Sequence, residues 1–212
     1  MKIINRELPW TSKTEWFWPS EDEKLVQVFD HVSDINYFME FVKNTRVCVQ
    51  AGGACGVWPL RYALLFDSVI TFEPMQENYE ALMKNIEGAD NINVHNKALS
   101  NRELKGSMVF DRSEHNNYGA VYFKEGQGNV NTITIDSMNL KWCDLLQLDI
   151  EGGELQALDG AQDTINRCSP IIVLEEKPLP QLQSDYREPR RYIESLGYRE
   201  VGSIHKDVVF AC

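Results

Sequence analysis

Apolar and polar positions follow two periods along this chain. Short, mostly apolar runs of the kind that form buried strands occur at Arg46–Gln50, Ser68–Phe72, Ile92–Val94, Cys143–Ile150 and Ile171–Leu174. Helical periodicity fills the gaps, at Leu60–Phe66, Asn78–Ile86, Glu154–Ile165 and Asp185–Leu196. In the second of these, Tyr79, Leu82, Met83 and Ile86 share one face. Pro59 suits a first helical turn, and Gly88 and Gly197 suit helix ends. Strands alternating with helices predict a mostly parallel sheet covered on both faces. Tyr198–Ile204 and Asp207–Ala211, around His205-Lys206, read as a closing hairpin that adds an antiparallel strand.

Two regions depart from this alternation. Between the third strand and Cys143, short strands are expected at Ser107–Phe110, Ala120–Phe123 and Val130–Ile135, separated by polar turns. At the other end, residues 1–20 read as irregular chain rich in Trp and Pro. Ser20 and Glu23 then form a capping-box pattern that predicts a helix over Glu21–His31. Ser33 or Asp34 could cap a second helix running to Val42. The organisation expected is an aromatic N-terminal segment with helices, residues 1–45, packed on an α/β domain spanning 46–212, the whole forming one compact domain.

Composition narrows the classes of function. With 212 residues, 43% hydrophobic and 25% charged, the chain has the makeup of a single globular domain. Asp plus Glu number 32 against 21 Lys plus Arg, a net charge of −11. That field repels phosphate backbones, and the densest basic stretch, Arg187–Arg191, is interrupted by Glu188, so no nucleic-acid partner is expected. No N-terminal apolar region resembles a secretory signal, and no apolar run approaches the ~20 residues that span a bilayer, so no membrane association is expected. The five cysteines form no CxxC pair and no zinc-like spacing. This reads as a cytoplasmic, reduced protein without a structural metal.

The chemistry concentrates at two places. Strand, glycine-rich turn and helix recur at Gln50-Ala-Gly-Gly-Ala-Cys-Gly56, the element through which a backbone approaches a nucleotide-like ligand. Alone, the turn serves a purely structural role equally well. Glu73, ending the next strand, adds an acid placed to accept hydrogen bonds from both ribose hydroxyls. The second place is Leu146-Gln-Leu-Asp149-Ile-Glu151-Gly-Gly-Glu154. A core strand has no packing reason to end in carboxylates, and ligands of open α/β sheets bind beyond such ends. Asp149 and Glu151 therefore read as site residues, and Glu154 as a favourable charge in a first helical turn.

With these residues in view, the chain resembles FkbM-type methyltransferases, class I enzymes that use S-adenosylmethionine (SAM). The segments VCVQAGGACGVW, ITFEPMQENYEALMKNI, INVHNKALSN, TITIDSM and LLQLDIEGGELQALDGA stand in the family's order and spacing, from about Arg46 to Glu176. The resemblance implies a Rossmann-like three-layer sandwich, with a seven-stranded, mostly parallel sheet and the last strand antiparallel in the C-terminal hairpin. It implies SAM held by Gln50, Gly52, Gly53, Ala54 and Gly56, by Glu73 at the ribose, by Pro74, Met75 and Ala98 around the adenine, and by Asp149 beside the reacting methyl. Three positions depart from the family's pattern. The family usually has Asp at the position of Gln50, Asn is common where Ala54 stands, and Lys is often found at the position of Gln147.

Methyl transfer to a hydroxyl needs alignment and a proton acceptor. Asp149, Glu151, Glu175 and His115 are the candidates. Asn116, Asn117 and Tyr118, in the same insert as His115, suit a small-molecule or glycan acceptor. The cluster Trp10, Trp16 and Trp18 suits either that role or packing on the sheet edge or in a homodimer. O-methylation is the reading these residues favour. The alternatives are an NAD-dependent oxidoreductase, which shares the glycine turn and strand-end acid, and a non-catalytic binding protein that keeps the fold.

Overall fold

A computed structural model describes residues 1–110, 116–178 and 185–212. It opens on an antiparallel ribbon, β1 (Lys2–Asn5) paired with β2 (Glu15–Trp18), where irregular chain was expected. Trp16 and Trp18 point inward from β2 and are fully buried, with Phe29 in ring contact with both. The helix expected over 21–31 is replaced by a 3₁₀ turn, Leu25–Gln27, leading into the short α1 (Val28–His31). Its cap is Asp22, not Ser20: both Asp22 carboxylate oxygens accept the Leu25 N–H at 3.1 Å. A second 3₁₀ turn, Val32–Asp34, joins α1 to α2 (Ile35–Met39), which ends in further tight turns short of the expected Val42.

The core alternation follows the expectation. It runs β3 (Val47–Ala51), α3 (Val57–Ala63), β4 (Ser68–Phe72), α4 (Gln76–Asn85) and β5 (Ile92–His95). The excursion contains β6 (Ala98–Leu99), β7 (Lys105–Phe110), β8 (Val121–Glu125) and β9 (Val130–Ile133). The second half holds β10 (Leu145–Leu148), α5 (Glu154–Asp159), α6 (Gln162–Cys168), β11 (Ile171–Glu175), α7 (Glu188–Ser195), β12 (Arg199–Ile204) and β13 (Asp207–Ala211).

The main sheet has seven strands in the order β12-β13-β11-β10-β3-β4-β5. β3, β4, β5, β10 and β11 are parallel neighbours, and β13 enters antiparallel between β11 and β12. This is the mostly parallel sheet with an antiparallel last strand that the sequence implied. Its central strands are apolar on both faces. Cys48, Val69, Leu145, Val173 and Val209 face the N-terminal aromatic residues, α2 and α3, whereas Val49, Ile70, Leu146, Ile172 and Phe210 face the opposite layer. The excursion strands form a smaller sheet, β6-β9-β7-β8.

One helix expected over 154–165 is two. A Cβ on Gly160 would lie 2.2 Å from the Ser100 carbonyl oxygen, and the Gly160 carbonyl accepts the Asp136 N–H at 2.9 Å. These contacts interrupt the helix. The Asp136 carboxylate then caps α6 through the N–H groups of Asp163 and Thr164, at 2.9 and 2.8 Å.

Candidate functional site

The C-terminal ends of β3, β4 and β10 meet at one point, and the glycine turn is folded against them. Gly52 has φ +87°, and a Cβ there would sit 2.1 Å from the Asp149 carbonyl oxygen, so only glycine fits where β3 leaves β10. Gln50, buried beneath, fixes the turn. Its amide donates to the Gly52 carbonyl at 2.9 Å and the Ala51 carbonyl at 3.2 Å, and its oxygen accepts the Thr71 hydroxyl. At this position the side chain is a structural brace rather than a free polar group.

Glu73 follows β4 and is only 4% exposed. Its carboxylate accepts the Ala54 N–H at 2.7 Å and the Met75 N–H at 2.9 Å. The carboxylate therefore keeps acceptor capacity beyond these two backbone donors. Burial pushes its carboxyl up to about 7, against the opposing pull of the two backbone N–H groups and Asn78. Asn78, one turn into α4, also donates to the Tyr118 carbonyl at 2.9 Å and so ties the insert to this wall.

Beside Glu73 opens a cleft lined from the ends of β3, β4 and β10 and from the insert. Strand order separates its lining residues, with Asp149 and Gly52 following β10 and β3 on one side of Glu73 and Ala98 beyond β5 on the other. Ala98 is joined in the lining by the apolar Pro74, Leu99, Met108, Val121 and Phe123, and Asp149 by Glu151. An elongated ligand with a planar apolar ring at one end, a diol in the middle and positive charge at the other matches this order, and SAM has that build. Gly52, Glu73, Pro74, Ala98 and Asp149 of the expected set line the cavity. Gln50, Gly53, Ala54, Gly56 and Met75 stand behind its wall. Gly53 packs on Leu82 and Thr71, and Gly56 on Leu82 and Ile86.

At the acidic end, oxygens of Asp149, Glu151 and Glu175 lie within 4.8 Å of one another. Glu151 has φ 54° in the turn after β10, and Glu154 shapes that turn by accepting the N–H groups of Ile150 and Gly152 at 3.1 and 3.2 Å. Glu154 is buried, with more to do than the helix-end charge expected of it. The cation among the acids is Lys177, whose Nζ pairs with Glu151 and lies 3.0 Å from Glu175. Asp149 lines the cavity, and its carboxylate makes no hydrogen bond or ion pair among the described residues, while its backbone N–H donates to the Ala51 carbonyl at 3.2 Å. Crowding by the cleft walls raises its carboxyl although the residue is solvent-exposed, and repulsion by Glu175 and Glu151 adds to this. Burial likewise pushes Glu151 up to about 7, with Lys177 pulling the other way. Gln147, two residues back on the same face, is buried with its Oε1 unpartnered among the described residues. The positive charge of this site comes instead from beyond β11.

Of the expected acceptor residues, Tyr118 lines the cavity and packs edge-on against Phe110. Asn116 and Asn117 lie outside the wall. The Asn116 carbonyl accepts the Glu23 N–H at 2.9 Å, and Asn117 Oδ1 accepts the Gly119 N–H at 3.0 Å. His115 lies outside the described residues. Trp16 and Trp18 are core residues, with their indole N–H groups on the Arg6 carbonyl and on Asp22. Lys177, Asn78 and the apolar wall from β7 and β8 are site residues that sequence patterns did not single out.

Comparison with known proteins matches this geometry to a family. Residues 62–200, more than half of the chain, match the family model described as the methyltransferase FkbM domain. No curated protein matches the sequence. Among solved structures, the methyltransferase FkbM from Methylobacillus flagellatus KT superposes with a TM-score of 0.56 at 17% identity, covering 90% of this chain and 55% of that one. The chain thus spans about half the length of that relative. A precorrin-6y C5,15-methyltransferase from Geobacter metallireducens GS-15 gives 0.55 at 14% identity, with 92% and 91% covered. A tRNA (uracil-54, C5)-methyltransferase from Pyrococcus abyssi, solved with S-adenosyl-L-homocysteine, gives 0.53 at 13%, with 100% and 43% covered. At these identities the likenesses concern the fold. Among the described residues, no helix is long and apolar enough to cross a membrane.

Proposed function

Since this chain belongs to the FkbM methyltransferase family, we propose that it transfers the methyl group of SAM to a hydroxyl of a small molecule or glycan. The observation that carries this reading is the placement of Glu73. It follows β4 in the strand order β10-β3-β4-β5, and in a cavity that Asp149, Glu73 and Ala98 all line it stands between Asp149, which follows β10, and Ala98, which lies beyond β5. Glu73 would accept both ribose hydroxyls, Pro74 and Ala98 would flank the adenine, and the turn at Gly52 would lie along the methionine part. SAM, when bound, supplies a methyl group activated by its positive sulfur.

The chain's own contribution is alignment and proton handling. Walls from β7, β8 and Tyr118 exclude water around the ring end, and the glycine turn, locked by Gln50, fixes where the reacting end lies. An acceptor hydroxyl gains a carbon–oxygen bond as the carbon–sulfur bond breaks with its electron pair moving to sulfur. Its proton must leave, and the carboxylates at the end of β10 and β11 stand ready to take it.

A binding panel tests the reading without an acceptor. SAM and S-adenosylhomocysteine at 100 times their Kd should each stabilise the fold by about 2.7 kcal/mol, while NAD should not. Stabilisation by NAD alone would support the oxidoreductase reading in its place, and stabilisation by none of the three would reject the cofactor site.

A further inference from the structure

Asn78 is 1% exposed, and its side-chain oxygen is buried with no partner among the described residues. A buried acceptor left empty is costly, so the amide is kept in place by what its nitrogen does. That nitrogen donates to the Tyr118 carbonyl at 2.9 Å, and as a donor beside Glu73 it favours the ionised form of that carboxylate. Both neighbours are acceptors. Turning the amide over would set oxygen against oxygen at each of them, so its orientation is fixed.

The two neighbours belong to different parts of the site. Glu73 is the acid assigned to the ribose hydroxyls. Its carboxylate folds back over the start of α4, accepting the Met75 N–H, and Asn78 follows in the first turn of that helix. Tyr118 belongs to the insert, 40 residues further along the chain. The peptide that joins it to Gly119 has its carbonyl on Asn78 and its N–H on Asn117 Oδ1, and both Tyr118 and Gly119 line the cavity. One buried amide thus bridges the ribose acid and the wall formed by the insert.

Resting on the SAM reading above, we propose that Asn78 is a positioning residue that couples the two, so that a cofactor ribose seated on Glu73 orders the wall at Tyr118 and Gly119. The coupling follows from what the ribose does to the acid. Hydroxyls donating to Glu73 hold its carboxylate ionised and in one orientation. A fixed, ionised carboxylate is the stronger acceptor for Asn78, and an amide held at that end holds the Tyr118 carbonyl at the other. Linkage makes the effect mutual: an ordered wall favours a bound ribose by the same factor.

The test follows amide hydrogen exchange of the whole protein by mass spectrometry, with S-adenosylhomocysteine and with its 2′-deoxy analogue, each at saturation. In the wild type S-adenosylhomocysteine should slow exchange in the glycine turn and in the insert at 118–121. The analogue offers Glu73 one hydroxyl fewer, so it should protect the glycine turn alike and the insert clearly less. This comparison needs no variant, and equal slowing of the insert by both ligands overturns the proposal. Calorimetry supplies a second readout. The wild type should prefer S-adenosylhomocysteine over the analogue by about tenfold, the scale of one charge-assisted hydrogen bond. Asn78→Ala should narrow that preference to roughly threefold, and S-adenosylhomocysteine should then protect the glycine turn without protecting the insert. A purely structural Asn78 would lower the melting temperature in Asn78→Ala and leave both the preference and the insert's protection as in the wild type, which overturns the proposal. Absence of binding by either ligand overturns the SAM reading and this inference with it. Binding to the wild type that protects the glycine turn and leaves the insert unmoved overturns this inference alone.

Discussion

The backbone N–H of Tyr118 donates to the buried carboxylate of Asp22 at 3.0 Å, joining two segments 96 residues apart. The same carboxylate accepts the Trp18 indole N–H at 2.9 Å and the Leu25 N–H, and the Tyr118 carbonyl is taken by Asn78. One residue in the cavity wall is thereby held through the peptide groups on both its sides, by the N-terminal segment and by α4. The N-terminal segment gives no side chain to the cavity lining, yet it fixes the position of a residue that does.

Asp22→Ala should therefore destabilise the fold and loosen the cofactor wall together. It leaves an indole and two backbone donors without a partner, at about 1–3 kcal/mol for each buried group, so a loss near 3 kcal/mol is expected in urea titrations. SAM should bind more weakly in the folded variant. Asp30→Ala is the control: its ion pair with Arg6 is exposed and worth less than about 1 kcal/mol. Equal stability of the two variants would remove the anchoring role.

Glu73→Ala should weaken SAM binding at least tenfold, since charge-assisted hydrogen bonds contribute about 1.5–3 kcal/mol each. S-adenosylhomocysteine carries the same ribose and should lose affinity in parallel. Calorimetry showing unchanged affinity for both would place the ribose elsewhere.

The sheet was legible in the sequence because its strands are buried on both faces and so stand out as apolar runs. Glu73 and Asp149 were legible because a core strand has no packing use for a carboxylate at its end. What escaped depends on partners distant in the chain. β1 and β2 need each other and Asn85 to hold their backbone, and neither carries a helical or clearly alternating pattern alone. The capping pattern at Ser20 was locally sound, but the indole of Trp18 and the insert drew Asp22 into the capping position. Gly160 breaks its helix only because Ser100 lies against it. Lys177 follows a strand in an ordinary polar turn, and its role exists only through Glu151 and Glu175.

The ligand-free protein should lose stability as pH rises toward neutrality. Glu73, Glu151 and Asp207 each titrate near 7 in the folded chain, above their ordinary values of 4.5, 4.5 and 3.8. Between those values and about 7 the folded state holds more protons than the unfolded state, so stability falls with increasing pH. Glu73 alone accounts for about 3 kcal/mol across that window at 1.36 kcal/mol per unit. Asp144 works in the opposite sense. Burial opposes its ionisation, but Arg46 and the backbone N–H groups of Val47 and Arg46 outweigh it, so its contribution fades only in acid below this window. Melting temperatures should drop from pH 5.5 to 8; a rising or flat profile would contradict the burial assigned to these acids.

Chelation should change nothing. The spacing of Asp149, Glu151 and Glu175 suits a cation, and the Lys177 ammonium already sits against two of them. EDTA should leave SAM affinity and melting temperature unaltered, and a loss reversed by added Mg²⁺ would show that the ammonium gives way to a metal.

The insert carries the last expectation. Tyr118 shares a wall with Glu73 and Ala98, whereas Asn117 lies behind that wall with its side-chain oxygen on the Gly119 N–H. The two positions should therefore separate when mutated. Tyr118→Ala removes an aromatic face from the cavity and its edge contact with Phe110, so SAM affinity should fall several-fold, by about 1 kcal/mol. Tyr118→Phe keeps the ring and should retain affinity. Asn117→Ala removes only a turn contact from the cofactor side, and SAM affinity should stay within about twofold, under ~0.5 kcal/mol. Titration of the three variants with SAM checks the separation. Equal losses in Asn117→Ala and Tyr118→Ala would mean that the insert acts as one rigid unit on the cofactor. Full affinity in both would move Tyr118 to the acceptor side, where single-turnover transfer to candidate hydroxyl compounds would then register the loss.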